Sequence, residues 1–232
     1  MSFFGGAGVS TESGIPDFRS QDGLYHQQFD VPPETILSHS YFCRHTADFY
    51  RFYRNKMICL TAKPNAAHKK LAELEQAGKL SAVVTQNIDG LHQAAGSRRV
   101  LELHGSVHRN ICTACGEIYD AEWIMQTSGV PYCEKCGALV KPDVVLYEES
   151  LPEETLTEAV SEIADADLLL VGGTSLTVYP AAGLLRYFGG AHLVLLNRDA
   201  TAMDHMADLV IQEPIGTVLG QIKVGGNESC EW

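Results

Sequence analysis

The sequence predicts an α/β fold, a doubly wound parallel sheet interrupted by a smaller second domain. Three observations predict it. Short apolar runs at 80–85, 167–172 and 193–196 lack the alternation of half-exposed strands and suit strands covered on both faces. Helical stretches at 152–166 and 180–188 alternate with them, as a parallel sheet requires. Residues 107–140 break that alternation with four paired cysteines and little apolar periodicity, so they read as an insertion.

In chain order, the first element is a strand turning into the glycine-rich loop Gly5-Gly6-Ala7-Gly8-Val9-Ser10. Glycines let the backbone approach an anionic group, and N–H groups at a following helix start can cradle a pyrophosphate. Thr11 stands where the usual dinucleotide fingerprint has its third glycine, so this segment alone also fits an ordinary βα turn. Gly14-Ile15-Pro16-Asp17 then forbids a continuing helix, because proline lacks an N–H and disfavours helix at the residue before it. The chain leaves instead as a coil carrying Phe18 and Arg19 over the ligand, which suits a nucleotide that is cut rather than only held. Residues 26–64 concentrate aromatics, and the spacing of Phe42, Phe49 and Tyr53 predicts the buried stripe of one or two helices. Pro64 near a start and Gly78 near a stop bracket the next helix.

Bulk properties narrow the function. A chain of 232 residues can bury one large core with a small insertion. A net charge of −12 argues against a nucleic-acid footprint. No apolar run approaches the ~20 residues of a membrane span, and the basic n-region of a signal peptide is missing. Expected partners therefore include neither nucleic acid nor membrane. With four of seven cysteines in Cys-x-x-Cys pairs, the pattern is that of an intracellular metal site, and a cytoplasmic location is expected.

The sharpest local signal is Cys112-x2-Cys115 followed, after seventeen residues, by Cys133-x2-Cys136. Each pair makes a knuckle, four thiolates close a tetrahedral zinc sphere, and a closed sphere leaves no place for water, so one structural zinc is expected. Gly116 and Gly137 follow each knuckle, where positive φ is needed. Thr85-Gln86-Asn87-Ile88-Asp89-Gly90 follows a buried strand directly, where ligands bind in open α/β sheets. Gln86, Asn87 and Asp89 there suit ribose hydroxyls, although an Asn-Ile-Asp-Gly turn can also spend its side chains on its own backbone. His104, beside Gly105, is the best general-base candidate, because histidine alone titrates near neutrality without help. His68 and His92 read as structural. Gly172-Gly173-Thr174-Ser175 and Leu196-Asn197 close later strands with further phosphate- or ribose-compatible groups.

These motifs, with Lys63-Pro64-Asn65-Ala66-Ala67-His68 and Glu102-Leu103-His104-Gly105, resemble in order and content those of the sirtuins, NAD-dependent protein deacylases, and most of all the bacterial branch. The match runs to about residue 218. The resemblance implies a Rossmann-like NAD-binding domain of residues 1–25, 65–106 and 141–226. A helical module, 26–64, and a zinc-binding module, 107–140, would form the small domain. It implies that NAD is cleaved to nicotinamide and O-acetyl-ADP-ribose while acetyl-lysine on a protein is converted to free lysine. His104 would be the general base on a ribose hydroxyl and Asn87 a second catalytic residue. Ala7, Thr11, Phe18, Arg19, Gln86, Ile88, Asp89, Thr174, Ser175 and Asn197 would bind NAD, with Phe18 shielding the reactive carbon from water. The substrate peptide would add as a strand beside Val144, Val145 and Leu146. A mono-ADP-ribosyltransferase could use the same NAD site, and a zinc-ribbon module that merely binds ADP-ribose would not need His104. Two departures stand out. Only Met1-Ser2-Phe3-Phe4 precede the glycine loop, so a shortened or misplaced start is expected. And where relatives that prefer acidic acyl groups carry Tyr-x-x-Arg, Tyr50-Arg51-Phe52-Tyr53 puts Tyr53 at the arginine position, with Arg54 one residue late on another helix face.

Overall fold

A computed structural model describes residues 1–18, 23 and 30–224. The chain runs β1 (Ser2–Gly5), α1 (Pro33–Ile36), α2 (His39–Arg44), α3 (Thr46–Phe52), a π-helical turn (Tyr53–Met57), α4 (Ala66–Gln76), β2 (Val83–Thr85), α5 (Leu91–Ala95) and β3 (Val100–Glu102). It continues through β4 (Gly105–Cys112), β5 (Ile118–Tyr119), α6 (Ala121–Gln126), β6 (Val140–Val144), α7 (Glu153–Ala164) and β7 (Leu168–Gly172). A 3-10 helix (Ala181–Tyr187), β8 (His192–Leu196), β9 (Leu209–Ile211) and α8 (Ile215–Gly220) complete it. Among the described residues no helix is long and apolar enough to cross a membrane.

Six parallel strands lie in the order β3-β2-β1-β7-β8-β9. β1 is central, with Phe3 opposite Val83 on one side and Leu170 on the other. Side chains alternate across a strand, so Phe3 and Phe4 enter different cores. Phe3 packs with Leu71, Leu74 and Leu219 from α4 and α8. Phe4 packs with Ala159 and Ile163 of α7 and with Leu184 and Leu185. Both phenylalanines are fully buried, and burial of each contributes about 1.5–3 kcal/mol. Helices on both faces make the sheet doubly wound, as the apolar runs predict.

Several boundaries differ from the sequence reading. The run at 80–85 is a strand only from Val83, because Lys79 and Leu80 still bond back to Leu74 at the end of α4. The stretch 180–188 is 3-10 rather than α-helix. The described residues of 26–64 hold three short α-helices and a π turn where one or two helices are expected. The start of α4 is set by Asn65, whose side chain accepts from the N–H groups of Ala67 and His68, while His68 reaches back to the Asn65 N–H.

The second sheet is antiparallel, in the order β5-β4-β6. β4 begins at Gly105, two residues before the expected insertion boundary. Gly105 has φ +73°, and a Cβ there would sit 1.9 Å from the Asp143 carbonyl oxygen, so only glycine lets β4 meet β6. One aromatic core joins this sheet to the helices of 33–57. Phe42, Phe49, Tyr50 and Tyr53 pack with Cys112, Ile124, Cys133 and Val140, and the Tyr50 hydroxyl donates to the Val140 carbonyl.

Candidate active site

Four loops leave the carboxyl ends of β1, β2, β7 and β8 and line one cavity of about 640 Å³ with the segment after β6. This is the edge at which open α/β sheets place their ligands, and the volume suits a small-molecule ligand. The β1 and β7 loops interlock at glycine. The Gly8 N–H donates to the Gly173 carbonyl at 2.7 Å. Gly173 has φ +60°, and a Cβ on it would lie 2.3 Å from the Val9 nitrogen.

Inside the cavity the polar side chains form two groups, one around Ser10 and one around Thr174. Ser10 Oγ donates to Asp89 Oδ2 at 2.6 Å and accepts from Asn87 Nδ2 at 3.0 Å. His68 Nε2 stands 3.5 Å from the same hydroxyl. Because His68 Nδ1 accepts from the Asn65 N–H at 3.3 Å, the ring proton sits on Nε2 and points at Ser10. Asp89 Oδ1 accepts from the Leu91 N–H at 2.9 Å, so both its oxygens are engaged. Gln86 Nε2 donates to Thr174 Oγ1 at 3.1 Å, and the Thr174 N–H donates to Asn197 Oδ1 at 2.9 Å. Asn197 Nδ2 is buried and has no hydrogen-bond partner among the described residues, an open donor on the cavity wall. Thr11 Oγ1 donates to the Gly8 carbonyl, closing the first loop on itself.

His104 lines the same cavity and is half-buried. Its Nδ1 lies 2.9 Å from the Gln86 carbonyl oxygen, which can only accept, so Nδ1 carries the proton and Nε2 keeps its lone pair. Burial lowers its pKa, and the bond to Gln86 offsets only part of that. The imidazole is therefore neutral, and able to accept a proton, at neutral pH. Burial pushes His68 down to about 4 and His92, beside it at 4.8 Å between ring centroids, down to about 3.

Of the residues singled out from the sequence, Ala7, Thr11, Phe18, Gln86, Asn87, Ile88, Asp89, His104, Val144, Val145, Leu146, Thr174, Ser175 and Asn197 all line this one cavity. Phe18 also packs against the aromatic core of the second sheet. Arg19 lies outside the described residues. The sequence reading assigned no role to Ser10 or Glu12 and gave His68 only a structural one. Glu12 reaches across to accept from the Gly216 N–H at 2.8 Å, pinning the first loop to α8. The Asn65-x-x-His68 spacing was the available signal for His68, since a capping histidine has one ring nitrogen left to give.

The cysteines form a second site away from the cavity. Their four sulfurs all lie within 4.8 Å of one another, with Cys112 to Cys136 at 3.4 Å and Cys115 to Cys133 at 3.6 Å. Sulfurs at zinc's usual bond length stand roughly 3.8 Å apart in a tetrahedron, so the four fit that ion. Gly116 and Gly137 have φ +73° and +74°, as the knuckles require.

Tyr53 is buried and stacked on Phe49. Arg54 turns away, with Nε donating to the Ile124 carbonyl at 2.9 Å and Nη2 to Thr127 Oγ1 at 2.8 Å, and it does not line the cavity.

Residues 6–180 match the model of the Sir2 family. The chain is 60% identical over 220 residues to the NAD-dependent protein deacetylase of Clostridium acetobutylicum, an alignment covering 94% of this chain and 90% of that one. It aligns at a TM-score of 0.87 and 40% identity with a solved Sir2 complex of a deacetylated p53 peptide and 3′-O-acetyl-ADP-ribose, covering 94% of this chain and 89% of that one. A Sir2 complex with p53 peptide and NAD+ aligns at 0.83 and 41%, with coverages of 94% and 89%. A six-stranded parallel sheet, a four-cysteine zinc ribbon, and identity of this order across nearly the whole length leave one conclusion: the chain belongs to the Sir2 family.

Proposed function

We propose that this chain is an NAD-dependent protein lysine deacetylase in which His104 is the general base. The observation that carries the reading is the meeting, in one cavity, of a neutral histidine with a free Nε2 lone pair, a locked Ser10–Asn87–Asp89 network, and the segment 144–146. NAD is a co-substrate here. His104 Nε2 accepts the proton of a ribose hydroxyl, so that the hydroxyl oxygen can attack the acyl carbon. Asn87 and Asp89 hold the ribose and the carboxamide of the leaving nicotinamide, and Ser10 keeps both in place. Gln86, Thr174, Ser175 and Asn197 receive the rest of the dinucleotide, with Ala7, Thr11, Ile88 and Phe18 completing the wall. Phe18 excludes water from the reacting carbon. The acetyl-lysine peptide lies beside Val144, Val145 and Leu146.

Zinc, when bound by Cys112, Cys115, Cys133 and Cys136, supplies no chemistry of its own. Its four thiolates close its sphere, and it fixes the β4–β6 wall of the cavity. A cytoplasmic location is in keeping with reduced thiolates in that site.

Mass spectrometry of an acetyl-lysine peptide incubated with the protein and NAD tests the reading. The expected products are free-lysine peptide, nicotinamide and O-acetyl-ADP-ribose in equal amounts. Adenine label from NAD retained on protein, with the acetyl group untouched, would instead establish ADP-ribosyl transfer.

A further inference from the structure

We propose that Glu149 is a positioning residue for the acyl-peptide: its carboxylate fixes the segment 144–147, and Glu148 anchors that segment to α2. The inference rests on the reading that the peptide lies beside Val144, Val145 and Leu146.

Glu149 gathers donors from three separate parts of the chain. Oε2 accepts from the Leu146 N–H at 2.9 Å and from Lys141 Nζ at 3.2 Å, and Oε1 lies 2.8 Å from His39 Nδ1. Lys141 Nζ in turn donates to the Val144 carbonyl at 3.2 Å. Burial pushes the Glu149 pKa up, but the bonds from Leu146, His39 and Lys141 outweigh it and the net direction is down. The carboxylate is thus charged and used on both oxygens.

The neighbouring backbone is fixed with equal completeness. The Val145 N–H donates to the His104 carbonyl at 3.0 Å, the Tyr147 N–H to Leu37 at 3.0 Å, and the His39 N–H to Tyr147 at 2.9 Å. Glu148 adopts φ +77°, a left-handed conformation that is strained for a residue with a side chain. Its Oε2 and Oε1 accept from the Ser40 N–H and Ser40 Oγ at 2.9 and 3.0 Å. These bonds hold the strained residue against the start of α2. A strand ordered before its partner arrives spares the complex the entropy of ordering it. The benefit falls on the peptide and not on NAD, because among the described residues neither carboxylate bonds to the loops after β1, β2, β7 or β8.

Steady-state kinetics of Glu149→Gln tests this, with melting temperature and zinc content confirming the fold. The expected result is a peptide KM about 10-fold higher, the scale of one lost charge-assisted bond network, with kcat and NAD KM within about twofold. Glu148→Gly tolerates φ +77° and so keeps the backbone, yet it loses both Ser40 bonds; its peptide KM is expected to rise about threefold. An unchanged or lower peptide KM in either folded variant overturns the assignment of that residue. Equal rises in peptide and NAD KM would mean general loosening and would overturn it too. Amide exchange on the wild type separates the underlying reading. Protection of 144–148 by acetyl-lysine peptide is expected, and none there would remove the peptide strand and this inference together.

Discussion

On the parallel-sheet side of the cavity, the loops hang from strands buried on both faces and bond to one another: Ser10 to Asp89 and Gln86 to Thr174 through side chains, and the Thr174 N–H to the Asn197 side chain. On the opposite side, the wall is a two-faced antiparallel ribbon whose interior holds Cys112 and Cys133 among Phe42, Phe49 and Tyr50. The first side is completed by covalent chain alone. The second needs an ion, because four sulfurs held within 4.8 Å would otherwise crowd as thiolates or waste themselves as thiols. The difference teaches that one cavity can be half self-sufficient and half conditional, and it predicts where each perturbation will be felt.

The largest expected effect separates the two sides outright. Chelating zinc should abolish deacetylation, because structural zinc supplies on the order of 10 kcal/mol of folding free energy to its ligand domain. Amide exchange should show protection lost across 107–144 and in the helices of 33–57 that share its core, while 83–85 and 168–172 stay protected. Uniform loss across both sheets would dissolve the comparison.

Chemistry on the sheet side should be removable without loss of fold. His104→Ala is expected to lower kcat by roughly 10²-fold or more with little change in melting temperature. Because burial lowers the pKa of His104, the acid limb of the wild-type rate profile should fall below pH 6.5. A limb centred above that value would assign it to another group.

A smaller effect reports on the conditional side. A succinyl-lysine peptide should be used about 10²-fold less efficiently than acetyl-lysine, since Arg54 is spent on Ile124 and Thr127 and a buried carboxylate would lack a charge-assisted partner. Comparable kcat/KM for the two peptides would show that Arg54 swings into the cavity.

The smallest effect is a pH signature of the sheet side. His68 and His92 are buried neutral, so below about pH 6.5 the unfolded chain binds protons that the folded chain refuses. Stability should fall as pH drops from 6.5 towards 4, by a few kcal/mol in order of magnitude. His92→Leu should flatten that slope, and an unaltered slope in thermal melts from pH 7 to 4.5 would place the acid sensitivity elsewhere.

Much of the sheet side was legible because buried parallel strands write themselves as apolar runs; the segments around Val83, Leu170 and Leu195 did so. β3 and β9 did not, being three-residue strands with partly exposed faces at the sheet's two ends. Loop positions such as Gln86, Asn87 and Thr174 were legible because they follow those strands immediately. The partnership of Ser10 with His68 was not, since it joins residues far apart in the chain through a helix cap. On the conditional side the cysteine spacing announced the ion. Nothing local announced that the aromatics of 42–53 would pack around it, because a stripe at helical spacing names a face but not its partner.

Phe4 pairs with Val171, and the Gly8 N–H bonds to Gly173 in the loop after β7. At ribosomal speeds of about 5–20 residues per second, β1 waits roughly ten to thirty seconds for β7 to be made. Throughout that interval a nascent chain carries a strand built around Phe3 and Phe4 with one edge unclaimed. The catalytic pocket is thus among the last features to exist, and a chain stopped anywhere before residue 168 offers the cell a sticky ribbon in place of a weak enzyme.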